Sequence, residues 1–303
     1  MFVLLQSNVN YQLQGIMKIL ITTANGMFGG AVIRALEGSG VTVRALVRNP
    51  DKFKINRPDV EVFKGDLDDP ASVESALAGV DKVFLSTPMD SKIAERECRV
   101  IEKAVAGGVK HIVKIYGAVE HDDDPLITQH KKAIGTLENS GLAWSLVSPN
   151  SVMETSILTH APFIVEAGAL FGMSGHGKVG FVALKDVARI GAHVFTTEGH
   201  NGKNYEVTGP AAVDLYDVAA AISKAIGKEI PYEDMPEEEF ASMVQEATGM
   251  SAEALETSII CHLRCWKHGK AEKVTETFFE LIGSQPTSVA EWAEEHSGAF
   301  KGE

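Results

Sequence analysis

A run of apolar residues at positions 18–22 leads into a turn in which Thr23, Gly26 and Gly29 stand three residues apart. The helix predicted to begin near Phe28 leaves its first backbone N–H groups unpaired, and these groups attract a phosphate where glycine permits close approach. The dinucleotide-binding fingerprint has glycine where this chain has Thr23. Either Thr23 is extended and the turn is kept, or the turn requires positive φ and is remodelled. The turn predicts a pyrophosphate site, with Asn25, Met27 and Phe28 as further contacts.

Arg48 stands near the place, about 20 residues after the turn, where an NAD site typically has an acidic side chain for the ribose 2′-hydroxyl. Arginine suits a 2′-phosphate instead, because its guanidinium binds phosphate oxygens in a fork. The position favours NADP(H), and the alternative is a surface arginine at a strand end. Further along, Asp66 is expected to accept a hydrogen bond from the adenine amino group while Leu67 lies against the ring.

Polar side chains follow the later strands. Ser86 and Thr87 end the fourth apolar run, Tyr116 ends the fifth, and Pro149 and Asn150 follow the sixth. The carboxyl ends of parallel strands meet at one edge of a sheet. We therefore expect these residues to line the nicotinamide end of the cofactor site.

The helix predicted for residues 128–139 carries the candidates for proton transfer. His130 can donate a proton after hydride transfer, since histidine titrates near neutral pH, and Lys131 can hold ribose hydroxyls. The alternatives are a helix-start histidine with local hydrogen bonds and a solvated first-turn lysine. Tyr116 is the remaining hydroxyl near the ring, so His130, Lys131 and Tyr116 are the predicted catalytic residues.

The second ligand is expected to lie between the segment after the sixth strand, a glycine-rich segment and the carboxyl-terminal helices. The predicted contacts are Met89, Ser151, Met153 and His176. His176 belongs to a loop, and a loop histidine usually has no such role.

Two clusters could suggest a metal site. Residues 120–124 are Glu-His-Asp-Asp-Asp, and a solvated acidic loop over the crevice explains them better. Cys261, Cys265 and His268 share one helical face beside His262, but no fourth ligand from another segment is evident. A half-buried helix face lined by cysteines explains this second cluster better, and no metal site is predicted.

Short β-branched runs alternate with helical patterns from Met17 to about Pro149. This order predicts an α/β fold, a Rossmann-like doubly wound parallel sheet with its ligand crevice at the carboxyl ends of the strands. Strands are predicted at residues 18–22, 41–47, 60–63, 82–86, 111–116, 143–147 and 204–208.

The pattern changes after Pro149. Residues 168–180 contain five glycines and are expected to form a turn or a lid, and helices are predicted from Asp186 and over residues 215–226 and 237–279. We therefore expect an NADP(H)-binding domain at residues 17–150 and a smaller, mainly helical substrate-binding part at 151–303. The chain is expected to return to the main sheet around residues 180–210. Residues 1–16 are predicted to be an appended extension and are assigned no function.

The formal net charge of −13 argues against a protein that binds nucleic acid or an anionic membrane surface through its own field. Small-molecule partners are favoured. No apolar run reaches membrane-spanning length, and three cysteines are too few for a disulfide scaffold in a chain of 303 residues. These features predict a globular cytoplasmic protein.

Taken together, the motifs form a pattern that extends over nearly the whole chain from Met17. They are Thr23-Ala-Asn-Gly-Met-Phe-Gly29, Arg44-Ala-Leu-Val-Arg-Asn-Pro50, Gly65-Asp-Leu67, Gly79-Val-Asp-Lys-Val-Phe84, Pro149-Asn-Ser-Val-Met-Glu154 and Tyr205-Glu-Val-Thr-Gly-Pro210. The pattern resembles the NmrA-like branch of the short-chain dehydrogenase/reductase superfamily, its atypical group. The resemblance implies NADP(H) binding. It also implies relatives such as azoreductases, quinone reductases and triphenylmethane reductases, and others that bind the cofactor to sense redox state.

Most short-chain dehydrogenases use a Tyr-x-x-x-Lys pair, whose lysine lowers the pKa of the tyrosine. None of the five tyrosines here is followed by lysine four residues later. We therefore predict an NAD(P)H-dependent oxidoreductase that transfers hydride to an aromatic, quinone-like or carbonyl acceptor without that pair. The alternative is an NADP(H)-binding redox sensor that acts on a protein partner without turnover.

Overall fold

The structure is a computed structural model that describes residues 16–119 and 125–303. Residues 1–15 of the predicted extension and the acidic segment 120–124 lie outside the described residues. The strands are β1 (Lys18–Ile21), β2 (Thr42–Val47), β3 (Val60–Lys64), β4 (Lys82–Leu85), β5 (His111–Ile115), β6 (Ala143–Pro149), β7 (Leu170–Gly172), β8 (Lys203–Val207) and β9 (Tyr232–Asp234). The predicted strands correspond to β1–β6 and β8.

The helices alternate with these strands in the first half of the chain and dominate the second. They are α1 (Met27–Ala35), α2 (Pro70–Leu77), α3 (Ile93–Ala106), α4 (Pro125–Glu138), α5 (Met153–Ser156), α6 (Ala161–Ala167), α7 (Leu184–Thr196), α8 (Leu215–Ile226), α9 (Glu237–Thr248), α10 (Ala252–Leu255), α11 (Cys261–Lys267), α12 (Thr277–Ile282), α13 (Val289–Glu295) and α14 (Ser297–Lys301).

Seven strands form one parallel sheet in the order β3-β2-β1-β4-β5-β6-β8. The order reverses between β1 and β4, and the crevice at such a reversal is where open α/β sheets bind ligands. β8 pairs with β6, so the chain returns to this sheet after the first half is complete. The predicted doubly wound parallel sheet is confirmed.

Side chains of alternate residues in the strands enter two different cores, as the pleat requires. Ile19 and Ile21 of β1 pack with α1 and α7 on one face, whereas Leu20 packs with α2 and α3 on the other. Because both faces are covered, the strands are nearly continuous apolar runs, and a charged residue inside one must find a partner within the protein.

A further core lies outside the main sheet and joins α5, α6, α8, α9, α11 and α13. The sequence did not predict that β7 and β9 would form a small parallel sheet here. The helical content predicted for residues 237–279 is divided among α9, α10, α11 and the start of α12. Gly249, at φ +69°, ends α9, Ser251 caps α10, and Gly269, at φ +71°, follows α11. Between α10 and α11 the backbone makes one turn of π-helix at Glu256–Ile260.

Of the two forms expected for the glycine-rich segment, a turn or a lid, the structure has a turn at residues 175–176, and the segment is packed into this core. Val179 pairs with Val213 across an isolated bridge, and Phe181 is buried. A Cβ atom on Gly177 would lie 2.2 Å from the Trp266 carbonyl oxygen, and one on Gly180 would lie 2.4 Å from that of Lys273. The glycines therefore allow backbone segments to approach each other closely.

Candidate functional site

The carboxyl ends of β1–β6 surround a cavity of about 990 Å³ that α5 and α11 close from the other side. Most of the residues proposed from sequence for the cofactor and the second ligand line it: Thr23, Asn25, Gly26, Met27, Phe28, Arg48, Asp66, Leu67, Ser86, Thr87, Met89, Tyr116, His130, Pro149, Asn150 and Ser151. Gly29, Lys131, Met153 and His176 do not line it.

Thr23 adopts the left-handed conformation, with φ at +46°. Of the two alternatives left open by the sequence, the extended conformation is not the one adopted, and the turn has the positive φ that glycine ordinarily serves. For a residue with a Cβ this conformation costs about 1–2 kcal/mol. The Thr23 carbonyl accepts a hydrogen bond from the Gly26 amide at 2.7 Å, and Thr23 Oγ1 lies 2.6 Å from Ser86 Oγ. These two contacts hold the turn against the end of β4.

The two glycines after Thr23 leave no room for a side chain. A Cβ atom on Gly26 would lie 2.9 Å from the Thr23 carbonyl oxygen, and one on Gly29 would lie 2.6 Å from the same atom. Gly26 is the N-cap of α1, and no side chain caps this helix or brings an acidic group to its first turn. The first amide groups of α1 therefore remain available to an anion, which fits a pyrophosphate.

The far end of the cavity carries two cations. Arg48 and Lys52 both line it, and neither side chain forms an ion pair with a residue in the described part of the chain. Nearby, Leu67 offers an apolar surface and Asp66 Oδ1 accepts a hydrogen bond from the Asp68 amide at 3.0 Å. Asp69, and not Asp68, caps α2. This end fits a phosphorylated adenosine.

Arg96 forms an ion-pair network in the cavity wall that sequence reasoning missed. Its guanidinium donates to both oxygens of Asp68, at 2.8 and 3.0 Å, and to both oxygens of Asp90, at 2.8 Å. The hydrogen bonds lower the pKa of both carboxyl groups and raise the pKa of Arg96. The network joins the loops after β3 and β4 to α3.

Glu97, Lys114 and His130 meet at the nicotinamide end of the cavity. Lys114 Nζ lies 2.7 Å from Glu97 Oε2 and 3.0 Å from His130 Nδ1, and the Lys114 and Glu97 side chains are fully buried. Thr87 Oγ1 donates to Glu97 Oε1 at 3.1 Å. Burial alone would raise the pKa of Glu97, but Lys114 and His130 together outweigh it and the pKa is lowered. Burial lowers the pKa of Lys114, and Glu97 opposes that shift.

A sequence signal for this cluster existed. Lys114 interrupts the apolar strand His111–Ile115, where both faces are covered, and Glu97 falls at helical spacing between the buried Ile93 and Ile101 of α3. Charged residues are almost never fully buried without a partner. The two charged residues at apolar positions therefore indicate an ion pair between Lys114 and Glu97.

Tyr116 and His130 are brought together as predicted, with ring centroids 5.4 Å apart in an edge-to-face arrangement. The His130 side chain contacts Lys114 of β5, so its hydrogen bonding is not the local kind expected of a helix start. Lys131, the next residue of α4, is exposed and is not among the residues that line the cavity.

The opposite wall comes from α5 and α11 and the segments beside them. Trp266 Nε1 donates to Ser151 Oγ at 3.1 Å, which joins α11 to the end of β6. Burial lowers the pKa of His160 to about 4, so this histidine is neutral at physiological pH. The other lining residues of this wall are Val152, Thr155, Ser156, Thr159, Ser258, Ile259, His262 and Leu263.

Met153 and His176, two of the expected substrate contacts, lie elsewhere. Met153 is fully buried in the core around α5. His176 Nδ1 lies 2.9 Å from Asp214 Oδ2, and its ring stacks on Tyr216 with centroids 4.6 Å apart. Met153 therefore supports the wall from behind, and His176 is held at the cap of α8.

Cys261 and Cys265 are buried on α11, and neither is part of a disulfide. Across residues 16–119 and 125–303, no group of three or more histidine, cysteine, aspartate or glutamate side chains is arranged to hold a metal ion. None of the helices in these ranges is both long and apolar enough to cross a bilayer.

Comparison with known proteins gives consistent results. A family model described as NAD(P)H-binding matches residues 23–198. The NAD(P)H azoreductase of Xenophilus azovorans is 32% identical and covers 93% of this chain and 99% of its own length.

Two solved structures share this architecture. The NADPH-dependent quinone oxidoreductase of Escherichia coli, complexed with NADPH, has a TM-score of 0.81 at 30% identity and covers 91% of this chain and 99% of its own. The triphenylmethane reductase of Citrobacter sp., complexed with NADP(H), has a TM-score of 0.81 at 26% identity and covers 93% and 100%. The NmrA-like resemblance of the sequence is confirmed, and the chain belongs to the NAD(P)H-binding family.

Proposed function

We propose that the protein is an NADPH-dependent reductase that passes hydride to an uncharged, quinone-like aromatic acceptor. One observation carries the proposal: one cavity joins the glycine turn and Arg48 at one end to His130, Tyr116 and a wall that includes Trp266 at the other. The relatives named for azo dye, quinone and triphenylmethane reduction support the same reaction class. When bound, NADPH supplies the hydride.

The cofactor would be held by the part of the chain from residue 17 to 150. The first turn of α1 would hold the pyrophosphate, because Gly26 and Gly29 leave its amides accessible. Arg48 and Lys52 would bind the 2′-phosphate, and Leu67 would pack on the adenine. Ser86 and Thr87 would lie beside the nicotinamide. Residues 151–303 would supply most of the acceptor contacts.

We expect Arg48→Asp to raise the dissociation constant of NADPH by about 10- to 100-fold, because a charge-assisted hydrogen bond contributes about 1.5–3 kcal/mol. The affinity for NADH should change little, since it lacks the 2′-phosphate. Calorimetric titration with each cofactor measures both values. Lys54→Asp is the control, because this exposed lysine lies outside the cavity wall. An equal loss for NADPH and NADH would contradict the assignment of Arg48.

The acceptor end of the cavity favours a ligand without charge. Among the described residues that line the cavity from Ile115 onward, a set that leaves out positions 120–124, none is lysine, arginine, aspartate or glutamate, and His160 is neutral. An anionic group placed there would lose its water without gaining a charged partner, which is unfavourable. Trp266 offers a ring face, and serine and threonine hydroxyls offer hydrogen bonds to a carbonyl oxygen.

Steady-state oxidation of NADPH with a neutral naphthoquinone and its sulfonated analogue tests this proposal. We expect turnover with the neutral quinone and a kcat/KM at least about tenfold higher than with the sulfonate, which corresponds to about 1.4 kcal/mol. Thr159→Lys adds a cation to the same wall and should reduce the ratio between the kcat/KM values for the neutral quinone and the sulfonate. NADPH binding without turnover of any quinone, azo dye or enone would reject the reductase and favour the redox sensor, which acts through a protein partner.

The proposal also includes the cellular setting. Cysteines that form no disulfide suit a reducing compartment such as the cytoplasm. The net charge of −13 favours small molecules over nucleic acid as partners.

A further inference from the structure

Lys114 Nζ has three acceptors around it in the buried cluster. They are the Glu97 carboxylate, at 2.9 Å from Oε1, the Ile115 carbonyl oxygen at 3.2 Å, and His130 Nδ1 at 3.0 Å. An ammonium group has three N–H donors and no lone pair. Each N–H of Lys114 thus has one partner, whereas Glu97 Oε2 lies close to the ammonium but accepts no hydrogen bond among the described residues.

The arrangement determines which nitrogen of His130 carries the proton. Nδ1 lies 3.0 Å from an ammonium nitrogen, so it must accept the hydrogen bond and cannot itself be protonated. Glu97 Oε2 is the other charged atom near Nδ1, but at 3.8 Å it is too far away to accept a hydrogen bond from it. In a neutral imidazole whose Nδ1 is unprotonated, the proton is on Nε2. Nε2 has no hydrogen-bond partner within the described residues, and the His130 ring lines the cavity.

We propose that Lys114 and Glu97 are positioning residues that fix His130 in the Nε2–H tautomer and aim that N–H at the acceptor. The inference rests on the reductase function proposed above. Hydride that reaches the acceptor leaves negative charge on a conjugated oxygen or nitrogen, and the His130 Nε2–H donates a hydrogen bond to that atom. A proton from water then completes the product. The acceptor gains one hydride and one proton, and NADPH becomes NADP⁺.

Lys114, Glu97 and His130 together would take the role that the Tyr-x-x-x-Lys pair has in most short-chain dehydrogenases. In that pair the lysine acts on a tyrosine one helical turn away, whereas Lys114 reaches His130 from the neighbouring strand. Burial lowers the pKa of Lys114, and Glu97 opposes that shift and so favours the charged form of the lysine. Without Glu97, a neutral Lys114 amine could accept a hydrogen bond from His130 Nδ1 as well as donate one to it. The tautomer of His130 would then no longer be defined.

The tautomer can be read directly by ¹⁵N NMR of protein labelled in its histidine rings, with NADP⁺ bound and no acceptor present. Comparison with His130→Gln identifies the His130 signals. We expect an unprotonated Nδ1 and a protonated Nε2 at neutral pH. In the double variant Lys114→Met with Glu97→Leu, which removes both buried charges, the proton should distribute over both nitrogens. Lys110→Met, an exposed lysine just before β5, should leave the signals unchanged. A proton on Nδ1 in the wild-type protein would overturn the proposal.

Turnover supplies a second readout that a structural role would not affect. The side-chain amide of glutamine places an N–H near the position of Nε2, whereas that of asparagine places it near Nδ1. We expect His130→Gln to keep a kcat at least about tenfold above that of His130→Asn, since proton-transfer groups contribute about 10²–10⁴-fold. The KM for NADPH should be equal in the two variants. Equal kcat values would contradict the role of Nε2–H. An inactive wild-type protein with the expected tautomer would instead contradict the proposed reductase.

Discussion

Replacing Lys114 by methionine is expected to lower the free energy of unfolding by about 3–5 kcal/mol, the usual cost of leaving a buried charge without its partner. Glu97 would keep its carboxylate in a fully buried position, with only the Thr87 hydroxyl to donate a hydrogen bond. Urea denaturation followed by circular dichroism measures the loss. The effect should exceed that of any exposed ion pair in the chain, such as Lys103 with Glu74, which contributes about 1 kcal/mol or less.

The double variant Lys114→Met with Glu97→Leu separates the penalty of an unpaired charge from the contribution of the pair. Replacing both members of a buried ion pair by apolar side chains of similar volume is often neutral or stabilising. We therefore expect the double variant to have a urea midpoint close to that of the wild-type protein and well above that of the single variant. If the two variants were equally unstable, the loss would come from packing of the lysine chain and not from charge.

Gly29→Ala is expected to destabilise the protein by about 1–3 kcal/mol and to abolish measurable NADPH binding. The new Cβ would lie 2.6 Å from the Thr23 carbonyl oxygen, a backbone atom that cannot move without opening the turn. Thermal unfolding measures the first effect, and fluorescence titration with NADPH measures the second.

The next residue provides a matched control. A Cβ on Gly30 would lie 3.5 Å from the Ala24 carbonyl oxygen, an ordinary contact distance. Because alanine favours a helix interior over glycine by about 1 kcal/mol, Gly30→Ala should be neutral or stabilising and should bind NADPH normally. Similar losses in both variants would mean that α1 simply does not tolerate larger side chains.

The cofactor half of the molecule could be predicted from sequence because each of its signals is local. A buried strand, a turn and a helix follow one another within residues 18–35, and Arg48 and Asp66 stand at the ends of the next two strands. Strand ends of a parallel sheet meet at one edge, so sequence order alone brings these residues together. The same reasoning placed Tyr116 and His130 side by side.

The acceptor half could not be predicted in the same way. Its wall combines residues near Ser151 with residues near Trp266, more than a hundred positions apart, and a hydrogen bond between them is invisible in either segment. The glycines of residues 168–180 signal flexibility locally, but here they permit close backbone packing. The sequence did not predict the pair of Lys114 and Glu97, because neither β5 nor α3 alone shows a reason for a buried charge. The reason is the ion pair between the two elements.

The π turn at Glu256–Ile260 has a consequence for how the acceptor site can change. Such a turn holds one residue more than an α-helical turn, and each residue of an α-helix rotates the chain by about 100°. Five π-helical residues rotate the chain about as far as four α-helical ones, so the turn absorbs its extra residue, and deleting one residue here would restore a regular helix while His262 and Trp266 keep facing the cavity. A residue inserted or deleted outside this turn would instead rotate both side chains by about 100°, which no single substitution can do. Acceptor preference in this architecture can thus diverge through helix length as well as through side-chain identity.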